Sequence, residues 1–378
     1  MFLLEKLVIS FTYYLNWRKK ESRHERQAER ERLFLENGSK VLEELVATCN
    51  GKHTPIRSFS HEELRLATNN FDGRRVLNEI RSYKWYKGSL DDRTISIKKY
   101  EKDWIEHEYV VTDIAISAKV SAHQNILKLV GCCLETQLPT LVYESADGTL
   151  ADRIYLFKDD GTRNECQPMA WQSRLKITRK IAHAVAYLHN AFSRPIIHRD
   201  IRLGNIWLNQ HDVPKLAEFS LCISLPEGET FVQDDVRGSI GFLCPSYVAT
   251  CRVTEKTDVY SFGILLLVIL TAQRPYNLGA TSDDDEEDAG LVNYVRNHAI
   301  SQIVDPALMV DGSESGVLIG MEEQLQSVLQ LALKCVDEDP EIRPTMIDVT
   351  EELRRIESLQ AQAWTRLFTL PIHHHIIH

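Results

Sequence analysis

The chain has 378 residues, 43% of them hydrophobic and 26% charged, which is enough apolar content for a sizeable core and excludes a disordered polymer. Its formal net charge of −10 argues against a nucleic-acid-binding protein, and the longest apolar run, 262–272, is too short to span a bilayer. Eight cysteines without metal-ligand spacing give no metal site and fit a reduced, cytoplasmic setting.

Residues 1–17 are apolar but carry Glu5 and Lys6, with no basic leader and no small-residue cleavage site, so they do not read as a secretory signal. Phe2 after Met1 excludes the myristoylation pattern. Residues 18–32 alternate charge as a solvated helix does, and Val41, Leu42, Leu45 and Val46 recur at helical spacing until Asn50-Gly51 stops them. Residues 1–32 together read best as a helix docked on the chain's own body or on a partner. The alternative is a helix lying on a membrane surface, a peripheral contact with the plasma membrane.

Pro55 and Ser58 mark a linker, after which Ser60 and Glu63 make a capping box for a short helix ending near Asn69-Asn70-Phe71. From Val76 the run VLNEIRSYKWYKGSL has the rhythm of a hairpin. Residues 94–98 alternate as a strand ending on Lys98, and a helix is expected over 106–120. Strands are expected at 126–130 and 140–143. After Glu144-Ser145-Ala146 the pattern changes to helices, which marks a lobe boundary. Ile177, Ile181, Val185 and Leu188 line one face of a long core helix over 171–192. Later helices are expected from Thr257, where the apolar run 262–272 lies, and near 291–299, 321–336 and 346–363. The acidic block 283–288 reads as a solvated loop and the tail HHHIIH as a disordered end.

The chemistry concentrates in 196–221, IIHRDIRLGNIWLNQHDVPKLAEFSL. Asp200 can accept a hydroxyl proton, and Asn205, one loop turn later, can give an amide oxygen to magnesium, which is the layout of a protein-kinase catalytic loop. The metal-binding turn that should follow as Asp-Phe-Gly reads Glu218-Phe219-Ser220. Lys98 then stands where a phosphate-pairing lysine belongs, and Asp113, with Glu108 as the weaker candidate, is the acid expected to hold it. Asp reaches less far than Glu, so a stretched pair is expected. The hairpin should cover nucleotide with three glycines, but those positions hold Asn78, Ile80 and Tyr83. A β-branched side chain resists the backbone angles such a cradle uses, and Tyr83 would place a ring where phosphate should lie. Downstream, Ser246 replaces the glutamate expected to pair with buried Arg343, so Arg343 needs another partner. Asp258 is placed to hold the catalytic loop's backbone.

These motifs predict an α+β, bilobal protein-kinase fold. An N-terminal helical extension and linker (1–58) would precede a small β-rich N-lobe (59–145), followed by a larger helical C-lobe (146–359) and a C-terminal tail (360–378). Three readings stay open: a scaffold that has lost efficient phosphoryl transfer, a weakly active ATP-dependent Ser/Thr protein kinase using Asp200, Asn205, Glu218 and Lys98, and a membrane-tethered regulatory module resting on the N-terminal helix, which combines with either. On the first, no cofactor is required; ATP and magnesium would bind weakly, through Lys98, Asp113, Asn205 and Glu218.

The segments FSHEELRLATNNFD, HQNILKLVGCC, HRDIRLGN, TDVYSFGILLL and RPTM resemble those of plant receptor-like cytoplasmic kinases. Within that group FLENGS, CNGKHTPIRSFS, YKWYKG, ISLPEGE and the missing glycines are similar to the ZED-related kinases, pseudokinases of plant immunity. The resemblance implies an adaptor in innate immunity. It would dock on the leucine-rich-repeat region of an NLR immune receptor and capture another receptor-like cytoplasmic kinase modified by a pathogen effector. Contacts are expected on the activation segment, at Pro226, Glu227 and Glu229, and on the small lobe.

Overall fold

The computed structural model describes residues 2–49, 56–155, 167–276, 290–308 and 315–368, with side chains at 24–48, 56–155, 167–276, 290–308 and 320–359. The acidic block 283–288 and the histidine tail lie outside the described residues. The chain divides into two compact units, Met1–Lys119 with Lys128–Ser145 and Val120–Leu127 with Ala146–His378. No helix among the described residues is long and apolar enough to cross a membrane.

The first unit combines a long N-terminal helix, α1 (Phe2–Cys49), and shorter helices with a six-stranded sheet in the order β1 (Arg57–Ser58), β5 (Leu129–Cys133), β6 (Thr140–Glu144), β4 (Arg93–Tyr100), β3 (Tyr83–Leu90), β2 (Val76–Ile80). β1 pairs with β5 in parallel and the other pairs are antiparallel. The parallel contact requires glycine, because a Cβ on Gly131 would stand 2.0 Å from the Arg57 carbonyl oxygen. Next comes α2 (His61–Ala67), with the capping box in place: Ser60 Oγ accepts from Glu63 N–H and the Glu63 carboxylate accepts from Ser60 N–H. Thr68 ends it, its hydroxyl donating to Leu64 O at 2.7 Å and accepting from Phe71 N–H, while Asn69, Asn70 and Phe71 take positive φ. Phe59 and Leu64 pack with Tyr86, Ile97 and Val142 into a core on this sheet.

Two expectations are corrected in this unit. The lysine pair is not stretched, as described below. The strand expected at 126–130 begins instead at Leu129, because Ile126 is drawn into a bridge with Leu216 of the other unit's topology group, to which 120–127 belongs. The apolar stripe of α1 is not its docking face: Val41 is buried, but Leu42 and Val46 are 62% and 57% exposed. The anchor is polar. Asn37 is buried, its amide donating to Leu134 O (2.8 Å) and Thr136 O (2.9 Å) while its Oδ1 lies 2.6 Å from His107 Nε2, on α3 (His107–Val120).

The second unit is mostly helical. Around β7 (Gly148–Thr149) and α4 (Ala151–Ile154) it places α5 (Trp171–Asn190), whose Ile177, Ile181, Val185 and Leu188 are all buried as the spacing requires. Short strands β8 (Ile196–Ile197), β9 (Ile206–Leu208), β10 (Pro214–Leu216), β11 (Ile223–Ser224) and β12 (Val232–Gln233) frame the catalytic loop and the segment after it. Then follow α6 (Pro245–Thr250), β13 (Arg252–Val253) and α7 (Glu255–Thr271), the last buried along nearly its whole length. The unit closes with α8 (Leu291–Asn297), α9 (Ile300–Ile303), α10 (Ser315–Cys335) and α11 (Met346–Phe368).

Candidate active site

The catalytic loop is hung from a single carboxylate. Asp258, fully buried on α7, accepts the N–H of His198 and of Arg199, each at 2.8 Å, and also lies 2.9 Å from His189 Nε2. These bonds hold Arg199 at φ +67°, a left-handed conformation that costs a non-glycine residue roughly 1–2 kcal/mol. His198 is fully buried, its Nε2 3.0 Å from Ala217 O and its ring set edge-on to Phe219 at 5.3 Å.

Asp200 follows. Its Oδ2 accepts from Asn205 Nδ2 at 2.7 Å and from Arg202 Nε at 3.3 Å. Burial is the largest influence on the carboxyl and pushes its pKa up, but the Arg202 charge and the neighbouring Ser239, Asn205 and His198 outweigh it and leave the group below its ordinary value. Asp200 is therefore ionised at neutral pH, as a group that takes the proton of a hydroxyl must be. Gly238, at φ +137°, lets the activation segment pass close over the loop. A Cβ there would lie 2.7 Å from Arg199 O.

Two buried oxygens of this loop, Asp200 Oδ1 and Asn205 Oδ1, have no donor among the described residues. Asn205 is fully buried and spends its amide hydrogens on Asp200 O and Oδ2. An orphaned amide oxygen near carboxylates is the donor chemistry magnesium takes, and Asn205 with Glu218 would hold the ion on this side. Glu218 is buried at φ +72°, ψ +63°, and opens a one-turn 3-10 helix through Phe219 and Ser220. Bound there, magnesium would supply charge neutralisation of a phosphate.

The lysine half does not fit a nucleotide. Lys98 has no exposed surface. Its Nζ lies 2.8 Å from Asp113 Oδ2, so Asp113 is the partner and Glu108 is not. The short side chain suffices because Asp113 is itself fixed: Tyr100 Oη donates to the same oxygen, and Ser117 Oγ and Tyr143 Oη reach Oδ1 at 3.2 and 3.4 Å. Register brings rings to the remaining sides. β3 pairs Trp85 with Lys98 and Tyr83 with Tyr100, and the ammonium sits 4.2 Å from the Tyr83 ring centroid, 4.6 Å from Tyr100 and 5.9 Å from Trp85. Tyr83, the residue in the third glycine position, thus closes over the lysine itself. A carboxylate and three rings leave that cation no open side for a phosphate, and contacts of this kind contribute about 2 kcal/mol each when desolvated.

Arg343 also finds partners without glutamate. Buried, it donates from Nε to Asp337 O (2.7 Å), from Nη1 to Cys244 Sγ (2.9 Å) and Lys256 O (3.3 Å), and from Nη2 to Glu338 O (3.4 Å), over the Tyr260 ring at 5.1 Å. Ser246 bonds the Cys244 thiol (3.0 Å), not the arginine.

The activation segment is pinned by Arg199, whose guanidinium is buried, pairs with Asp234 through Nη1 and donates to Leu221 O through Nε. Asp234 N–H donates to Cys251 O, and β12 pairs with β13. Leu225 is buried, whereas Pro226, Glu227 and Glu229 are exposed on a tight turn. There Glu229 N–H donates to Pro226 O, and Gly228 takes the φ of +83° that such a turn demands.

A protein kinase domain model matches residues 86–354. The chain is 43% identical to the serine/threonine-protein kinase ZRK1 of Arabidopsis thaliana, over 86% of this chain and 93% of that protein. It is 39% identical to the non-functional pseudokinase ZRK2 (90% and 94% of the two chains) and 38% identical to the non-functional pseudokinase ZED1 (86% and 96%), both of the same plant.

Proposed function

Since the chain belongs to the ZED-related kinases, a branch of the protein kinase family, we propose that it is a catalytically impaired adaptor rather than a working kinase. The observation that carries this reading is the enclosure of Lys98 by Asp113, Tyr83, Tyr100 and Trp85. Phosphoryl transfer depends on that lysine pairing with nucleotide phosphates, and each ~1.4 kcal/mol of lost transition-state stabilisation costs about tenfold in rate. Loss of both the lysine and the glycine cradle leaves a rate several orders of magnitude down. ATP and magnesium are then not required, and bind weakly.

The adaptor role comes from the family resemblance. The chain docks on the leucine-rich-repeat region of an NLR immune receptor and presents Pro226, Glu227 and Glu229 to another receptor-like cytoplasmic kinase that a pathogen effector has modified. Two relatives are named non-functional pseudokinases, which supports a role other than catalysis. The exposed, internally braced turn at 226–229 is a rigid surface suited to recognition. A second reading, a weak Ser/Thr kinase, is favoured by the ionised and braced Asp200 beside Asn205.

One pair of measurements separates them. Phosphate incorporation by the full chain is expected to stay at background, and incorporation that disappears in Asp200→Asn establishes the weak kinase instead. Capture of the effector-modified kinase is expected to be lost when Pro226, Glu227 and Glu229 are replaced by alanine; capture left intact overturns the assigned surface.

A further inference from the structure

We propose that the first unit carries an anion-binding site, separate from the lysine cage, that takes a phosphorylated small molecule. A cavity of about 390 Å³ opens between α1, the start of α2, the end of β4 and the turn joining β5 to β6. That volume is in the range of small-molecule pockets, roughly 300–1,000 Å³.

Its charged lining is unevenly satisfied. Both carboxylates are occupied: Glu135 Oε2 accepts the His61 backbone N–H at 2.9 Å, and Glu101 lies 3.9 Å from Lys99 Nζ. Of the three cations, Arg30 and Lys102 make no hydrogen bond or ion pair to any described residue. Arg30 is half-buried on α1, where a guanidinium gives up part of its hydration and has five N–H donors to place. Among the described residues no carboxylate is hydrogen-bonded or ion-paired to Arg30 or Lys102, although the Arg30 charge is felt at Glu62.

The field at the neighbouring imidazole has the same sign. Burial pulls the His61 pKa down first, then the Arg30 charge, with Lys99 adding to it against Glu135 and Glu62. Thr136, Gln137 and Thr140 add uncharged polar groups along one wall. The cations come from three separate segments, α1, β4 and the turn after β4, more than the two oxygens of one carboxylate can serve but matched to a phosphoryl group with three. A phosphate bound by Arg30 together with Lys99 and Lys102 would bridge α1 to the sheet, adding a second tie to the one Asn37 makes.

The test is a melting titration of the full chain with inorganic pyrophosphate, in EDTA so that no metal bridges it elsewhere, at constant ionic strength. The expected result is a saturable rise in Tm for the wild type. Arg30→Met and Lys102→Met, which break no described contact, should each weaken the apparent affinity about tenfold, the loss of one charge-assisted bond. Citrate at matched ionic strength should give a smaller shift. An absent or non-saturating rise overturns the proposal, as does a rise unchanged in both variants. A citrate response equal to that of pyrophosphate overturns the assignment to phosphate.

Discussion

Lys98 keeps its place in the strand and faces Asp113 at 2.8 Å with rings of Tyr83, Tyr100 and Trp85 around it. In a working nucleotide site such a lysine can be replaced at little cost to folding, because it serves the ligand. Here Lys98→Met strands a buried carboxylate, and breaking one side of a buried pair costs about 3–5 kcal/mol. Denaturant unfolding should therefore show a loss of that order, partly recovered in Lys98→Met with Asp113→Leu; a change under about 1 kcal/mol would contradict the enclosure. His123 gives a pH-dependent counterpart. Its Nδ1 accepts the Asn125 N–H and its Nε2 lies 3.0 Å from His183 Nδ1, so the neutral Nε2–H tautomer fits both bonds. Burial, then the His183 and Lys215 charges, lower its pKa to about 4. The unfolded chain binds the proton more readily, so stability should fall as pH drops from about 6.5 towards 4. His123→Asn should flatten that part of the Tm profile, and an unchanged profile would refute the assignment.

At the scale of elements, periodicity was informative where one face is buried and less so where it is not. The apolar repeat of α5 maps onto its buried face, and the Ser60/Glu63 box formed as its spacing demanded. The repeat on α1 marked a helix, as found, but not its buried contact: Leu42 and Val46 are exposed, while the tie is Asn37, a single amide with no pattern around it to mark it. Asn37→Leu removes donors to two carbonyls, so it should loosen the C-terminal half of α1; amide exchange in 33–48 should quicken by about tenfold or more, and an unaltered rate would contradict the tie. The strand at β5 was misplaced because 126–133 is a nearly unbroken apolar run, in which alternation gives no boundary. The activation segment depends on Arg199 and Asp234. Asp234→Asn should raise exchange across 226–240 while Asp234→Glu preserves protection, and equal exchange in all three proteins would show that the pair does not hold the segment.

For the whole molecule, the division of labour was legible in the motifs and its failure only partly so. The sequence reading correctly paired Lys98 with Asp113 and hung the catalytic loop on Asp258, because those residue types sit at fixed offsets within strong motifs. It placed a ring at position 83 but could not place that ring on Lys98, since this depends on β3 and β4 pairing Tyr83 with Tyr100 and Trp85 with Lys98 across the sheet. Cross-strand register is a tertiary fact that one-dimensional spacing does not carry. The relief of Arg343 by carbonyls and a thiol was hidden for the same reason, its partners coming from 244, 256 and 337–338.

The second unit thus keeps an ionised Asp200 and an orphaned Asn205 oxygen, while the first has folded its lysine into an aromatic enclosure. Calorimetric titration of the full chain with ATP and magnesium tests that division directly. No saturable heat up to millimolar nucleotide is expected. A submillimolar Kd, abolished by Lys98→Met in a chain that remains folded, would contradict it.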